Sequence, residues 1–181
     1  LIMNLPNRLT VLRVCMVPVF VVFMLWNGLG SSAKYVAAVI FILASMTDWL
    51  DGYLARKNNL VTDFGKFMDP IADKLLVCSA MICLVEKGAL PAWIVIIIIG
   101  REFIISGFRL VASDKGVVIA ASYWGKFKTV SQMLMVILLI LDLGGVFNTI
   151  AQVLIWVALV LTVVSLVDYM VKNRSVLSGD M

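Results

Sequence analysis

The sequence predicts an all-α integral membrane protein built from six transmembrane helices. Three observations carry this. Of 181 residues, 62% are hydrophobic and only 14% charged, against roughly 45–50% and about 25% in globular domains; mean hydropathy is +1.06. The apolar residues fall into six long segments with short polar stretches between them, and the basic residues gather on one side of those segments. At about 20 residues per span, the chain has room for six or seven helices and no extramembrane domain. Residues 1–181 are therefore expected to form a single membrane domain. The surplus of apolar surface also excludes a disordered chain.

The elements follow in order. Leu1 and Ile2, ahead of Met3, read as a cloning remnant and are set aside. The first span runs roughly Leu9 to Trp26 and stops at the turn-forming Asn27-Gly28-Leu29-Gly30. Its apolar run has no A-x-A-like end, so a cleavable signal peptide is not expected. The second span, Ala33 to about Leu54, ends with Asp48 and Asp51; the third, about Phe67 to Val85, begins with Asp69 and Asp73 and closes at Glu86-Lys87-Gly88. The fourth, Pro91 to about Val111, is interrupted by Arg101, Glu102 and Arg109. The fifth runs Trp124 to Leu143, and the sixth follows Gly144-Gly145 from about Val146 to Val171.

With six spans, 13 of the 15 Lys and Arg residues fall on one side and only Lys34 and Lys87 on the other. The positive-inside rule then puts both termini of the multi-pass chain in the cytoplasm. Arg101 does not fit a purely topological role. It lies deep in the fourth span and needs a partner or a polar cavity.

Histidine is absent, which removes imidazole general bases, Ser-His-Asp triads and His-ligated zinc. Cys15, Cys78 and Cys83 form no CxxC and sit among apolar neighbours, so they read as small buried hydrophobes.

The chemistry is concentrated in four carboxylates. Asp48 and Asp51 are i, i+3, Asp69 and Asp73 are i, i+4, and the two pairs sit on helices joined by a short loop. Each pair shares a helix face, so all four can converge at the cytoplasmic end. Ionised carboxylates in a membrane bundle cost at least about 2.5–3.5 kcal/mol each at mid-span and require positive charge. A proton or cation pathway is one reading. A divalent metal site is the other, and an oxygen-only donor set selects a hard cation, Mg²⁺ or Mn²⁺. Gly52, Ala55 and Gly65 clear bulk from the same segment, and Arg56 stands beside the gap. Small residues serve helix packing, but together with metal and guanidinium they also suit a pyrophosphate.

The pattern D-x2-D-G-x2-A-R-x8-G-x3-D-x3-D resembles the signature of the CDP-alcohol phosphotransferases. Asp48, Asp51, Gly52, Ala55, Arg56, Gly65, Asp69 and Asp73 fill all eight fixed positions across 26 residues. The six-span plan extends the resemblance over most of the chain. It implies that the four aspartates ligate two divalent ions and that Asp73 is also the general base. It implies that Gly52, Arg56, Thr62 and Gly65 bind CDP-diacylglycerol. It further implies a homodimer in the lipid bilayer, open to the cytoplasmic leaflet, with no nucleic-acid partner.

The signature does not name the acceptor alcohol. Arg101 and Arg109 are eight apart, about 80° around a helix, and Lys126 and Lys128 start the fifth span. The lysines read either as interfacial snorkels beside Trp124 or as part of an anion pocket. Arg101 reads as an ion pair, with Glu102 of a neighbouring chain or a site aspartate, or as part of the same pocket. An anion pocket favours an acceptor with its own phosphate. The blocks Asn4–Arg13 with Pro18, Gly100–Arg109 and Trp124–Thr129 resemble the branch of the family that uses glycerol 3-phosphate. They imply that Asn7 and Thr10 hold the nucleotide lipid and that Arg101, Arg109, Lys126 and Lys128 hold glycerol 3-phosphate. Thr10 reads equally as a hydroxyl bonded to its own helix. The expected reaction is phosphatidyl transfer from CDP-diacylglycerol to glycerol 3-phosphate, giving phosphatidylglycerol phosphate and CMP. The alternatives are inositol 1-phosphate or serine as acceptor, or a small cation or proton transporter.

Overall fold

The computed structural model describes residues 5–57, 63–114, 119 and 122–174; the side chains at 48–57, 63–67, 69 and 70 lie outside that description. Among the described residues the chain is all-helical. Its helices are α1 (Leu5–Leu25), α2 (Ala33–Lys57), α3 (Asp63–Glu86), α4 (Ala92–Asp114), α5 (Tyr123–Leu141) and α6 (Gly145–Lys172), with a 3-10 turn at Asn27–Ser32 between α1 and α2. Two compact units are present: Leu1–Ala89 with Leu139–Asp142, and Leu90–Leu138 with Leu143–Met181.

In the first unit α1 packs on both α2 and α3. Its buried residues are Asn7, Thr10, Arg13, Val17, Phe20 and Met24, at steps of three and four that trace one helical face. The facing stripe of α2 is nearly all alanine, Ala33, Ala37, Ala38 and Ala44 around Phe41. Small side chains let helix backbones approach closely, which is how helices associate in lipid. Phe20 and Phe41 meet across this contact with ring centroids 5.9 Å apart. The α3 stripe is Ala72, Leu76, Ala80, Met81 and Leu84. Helix α3 ends in a Schellman motif: Ala89 N donates to Leu84 O at 2.9 Å and Gly88 N to Val85 O at 2.9 Å. Gly88, at φ +70°, supplies the left-handed residue this motif needs.

In the second unit α4 packs along α6. The buried residues of α4 include Ile94, Ile98, Arg101, Ile105, Phe108 and Ala112, and those of α6 are Ala151, Ile155, Ala158, Thr162, Ser165 and Tyr169. Both sets run at alternating steps of four and three, the seven-residue repeat of a coiled-coil seam. Trp93 meets Trp156 near one end of the seam, at 6.2 Å, and Phe108 meets Tyr169 edge-on near the other, at 5.6 Å and 81°. Helix α5 buries Lys128, Gln132, Met135 and Val136.

The outward residues of both units are large and apolar, among them Leu12, Val39, Leu43, Ile96, Phe103, Val130, Val153 and Val160. Such a surface belongs in lipid, and the protein is a membrane protein. By length and apolar content Asn7–Leu25, α5 and α6 can each cross a membrane, while the apolar part of α2, Ala33–Thr47, is shorter. Helix α4 is interrupted by the charges of Arg101, Glu102 and Arg109.

The helix ends differ from the hydropathy boundaries. Helix α1 begins at Leu5 rather than Leu9, α2 continues to Lys57, and α3 starts at Asp63 rather than near Phe67. Hydropathy marks where apolar side chains stop, whereas backbone hydrogen bonding continues through the polar turns beyond. Every aspartate of the signature is consequently carried on helix. Of the cysteines, Cys83 is buried, Cys78 half-buried and Cys15 exposed. The exposure of Cys15 departs from the expectation of burial: it sits on the outward face of α1, where a small apolar group facing lipid costs little.

Candidate active site

The first unit buries a polar stretch at the start of α1. The N-terminal half of the α1 buried stripe is Asn7, Thr10 and Arg13, exposed by 8%, 0% and 0%. Asp48 and Asp51 lie in the C-terminal part of α2, and Asp69 and Asp73 in the first three turns of α3. The backbones at Asp48, Asp51, Gly52, Arg56, Gly65 and Asp69 are helical; their side chains lie outside the described residues, as does Thr62 altogether. Asp73 is half-buried. Asn7, Thr10, Arg13 and Asp73 each have an interaction partner. Among the described residues no three Cys, Asp or Glu side chains cluster as metal ligands; three of the four signature carboxylates fall outside that set. The donor chemistry fits a hard divalent ion, because every candidate ligand is a carboxylate.

Sequence reasoning used Arg13 only as a basic charge on the cytoplasmic side. The structure buries it completely. A guanidinium taken out of solvent is retained where it is partnered, and Arg13 has an interaction partner. Its signal was available: Arg13 follows Asn7 and Thr10 at steps of three, on the same helix face.

The second unit holds a separate charged cluster. Arg101 and Lys128 are 9% and 3% exposed. Arg101 Nη1 donates to Glu102 Oε1 at 2.9 Å, and Lys128 Nζ donates to the same oxygen. Arg101 Nε donates to Ser165 Oγ at 3.2 Å, and Ser165 Oγ in turn donates to Thr162 O at 3.0 Å. Gly125 lies beside the guanidinium: a Cβ there would stand 3.4 Å from Arg101 Nη2, in van der Waals contact. One carboxylate oxygen thus gathers a cation from α4 and another from α5, leaving the trio with one net positive charge. The ion pair expected for Arg101 is formed with its own chain neighbour. Among the described residues Arg101 uses two of its five N–H donors, so a planar fork remains for a phosphate or carboxylate.

The other two predicted cations are placed differently. Arg109 is exposed, with its guanidinium 5.7 Å from the Tyr169 ring centre. Lys126 is exposed, with its ammonium 5.4 Å from the Tyr123 ring centre. Lys128, two residues on, points the opposite way into the cluster. Glu102 was seen in the sequence only as a possible counter-ion; its role as the shared anchor was not.

Comparison with known proteins gives consistent results. The profile of the CDP-alcohol phosphatidyltransferase family matches residues 3–164. A CDP-diacylglycerol–glycerol-3-phosphate 3-phosphatidyltransferase of Bacillus subtilis (strain 168) is 51% identical over 148 residues, 76% of this chain and 77% of the relative. Proteins of the same name from Rickettsia typhi and Haemophilus influenzae are each 44% identical, over 142 residues (78% and 79% of the two chains) and 136 residues (72% of each). Together with the aspartate signature on its two helices, these matches show that the chain belongs to the CDP-alcohol phosphatidyltransferase family.

Proposed function

We propose that the chain transfers the phosphatidyl group of CDP-diacylglycerol to glycerol 3-phosphate, releasing CMP and forming phosphatidylglycerol phosphate. The observation that carries a phosphorylated acceptor is the buried pair Arg101 and Lys128 gathered on one oxygen of Glu102. Such a pair has little use for a neutral or zwitterionic alcohol and suits a phosphate dianion. The names of the relatives support the same acceptor.

The family uses divalent metal, and Asp48, Asp51, Asp69 and Asp73 would hold Mg²⁺ or Mn²⁺, two ions balancing four carboxylates. When bound, the metal supplies charge neutralisation for the pyrophosphate and for the leaving CMP. The chain's own residues do the rest. Asn7, Thr10, Gly52, Arg56, Thr62 and Gly65 hold the nucleotide lipid, while Arg101, Arg109, Lys126 and Lys128 hold the acceptor's phosphate. Asp73 accepts the proton of the acceptor hydroxyl as its oxygen attacks the β-phosphorus. The bond from that phosphorus to the CMP oxygen breaks, and CMP carries the electron pair away. The protein works as a homodimer in the bacterial inner membrane, with both termini and the site on the cytoplasmic side, where water-soluble glycerol 3-phosphate and CMP are exchanged.

The test is CMP release by the purified, detergent-solubilised protein with CDP-diacylglycerol and labelled acceptors. Label from glycerol 3-phosphate is expected in lipid, with serine and inositol 1-phosphate inert and chelation abolishing turnover. Label from serine with glycerol 3-phosphate inert, or activity that survives exhaustive chelation, overturns the proposal.

A further inference from the structure

Tyr169 was not singled out in the sequence, and the proposed reaction has so far given it no task. It is 3% exposed and packs with Ile105, Phe108 and Ala112, its ring edge-on to Phe108. Its hydroxyl oxygen is buried and, among the described residues, has no hydrogen-bond partner. Native structures keep few such groups, and each one asks for an explanation. Phenylalanine would fill the same packing without leaving a donor unmade. The hydroxyl therefore points to a partner that arrives from outside the chain.

The surroundings indicate what that partner is. The Arg109 guanidinium lies over the Tyr169 ring at 5.7 Å, is exposed and, among the described residues, forms no ion pair that an incoming anion would have to break. A phosphate that accepts from this guanidinium would lie beside the ring that carries the hydroxyl. The preceding residue, Asp168, accepts from Lys172 at 2.6 Å through one oxygen, and its other oxygen is buried and, among the described residues, unpartnered. That oxygen needs a donor and cannot take a phosphate, whereas the tyrosine hydroxyl can.

We propose that Tyr169 is a further binding residue for the acceptor, donating its hydroxyl to the phosphate that Arg109 holds. This rests on the reading of the acceptor as a phosphorylated alcohol. The test is Tyr169→Phe in the full chain, which removes one oxygen and keeps the ring. Its KM for glycerol 3-phosphate is expected to rise roughly tenfold, the scale of a hydrogen bond to a charged group. The KM for CDP-diacylglycerol should be unchanged and the melting temperature no lower. Combined with Arg109→Ala, the two factors should multiply to less than their product, because both groups act on one phosphate. A KM within twofold of the parent, an equal rise for both substrates, or full multiplication overturns the assignment and leaves the hydroxyl to an ordered water. Calorimetric titration with inorganic phosphate separates this inference from the function. A parent that ignores glycerol 3-phosphate yet loses phosphate affinity as Tyr169→Phe would sink the acceptor's identity and uphold Tyr169. Equal phosphate affinities of parent and variant would sink Tyr169 alone.

Discussion

Replacing Glu102 with glutamine tests the charged cluster directly. The substitution keeps size and one acceptor oxygen but removes the charge that Arg101 and Lys128 share. At an effective dielectric of about 20, unit charges about 4 Å apart attract by about 4 kcal/mol. Glu102 exerts an attraction of this kind on two cations, and without it the two repel each other. Both are buried, at 9% and 3% exposure, so water replaces little of what is lost. Removing one partner of a buried ion pair destabilises by about 3–5 kcal/mol; the glutamine oxygen that remains places the expected loss near the lower end. For a chain of this length each kcal/mol corresponds to about 2–4 °C in the melting temperature, so a fall of roughly 6–12 °C is expected in detergent. Glycerol 3-phosphate should then protect the variant more than the parent, because its phosphate supplies the negative charge that the glutamine lacks. At a hundredfold excess over Kd a ligand stabilises by about 2.7 kcal/mol. Glu102→Gln melting with the parent, or the same increment for both on adding the anion, would refute the reasoning.

Three other outcomes are expected. Asp69→Ala should abolish CMP release and weaken Mn²⁺ binding by at least tenfold, read by metal titration; wild-type metal affinity would remove Asp69 from the ligand set. Asp73→Asn should bind CDP-diacylglycerol within a few-fold of the parent while turnover falls by about 10²–10⁴, measured by lipid binding and single-turnover CMP release. Substantial residual turnover would dismiss Asp73 as the base. Arg109→Ala should raise the KM for glycerol 3-phosphate about tenfold and that for the lipid far less; equal effects would discard its place in the acceptor pocket.

Much of this was legible in the sequence, for physical reasons. Apolar segments of span length have no solvent but lipid, so the helices could be read from hydropathy and the turns at Asn27–Gly30, Glu86–Gly88 and Gly144–Gly145 from their glycines. The extents could not: α2 and α3 run on through Arg56 and from Asp63, because a charged turn hydrogen-bonds its backbone as well as an apolar one. The aspartate signature was readable because its members lie within two adjacent helices, where spacing decides who shares a face. The Glu102 anchor was harder, since Lys128 is 26 positions away and no local periodicity links α4 to α5. Lys126 and Lys128 looked alike in sequence, yet one lies over an aromatic ring and the other is inside; two residues along a helix turn a side chain by about 200°. Tyr169 could not be found at all from spacing, because an unmade hydrogen bond is a property of its neighbours.

The matched repeat along α4 and α6 limits how this half of the molecule can vary. Inserting or deleting one residue between Ile94 and Arg101 would turn everything beyond it by about 100° and swing a permanently charged guanidinium out into hydrocarbon. Length changes in that stretch are thus tolerable only in steps that restore the phase, near seven residues. Divergence among natural variants should accumulate there by exchange of side chains, with gaps confined to the segments outside the seam.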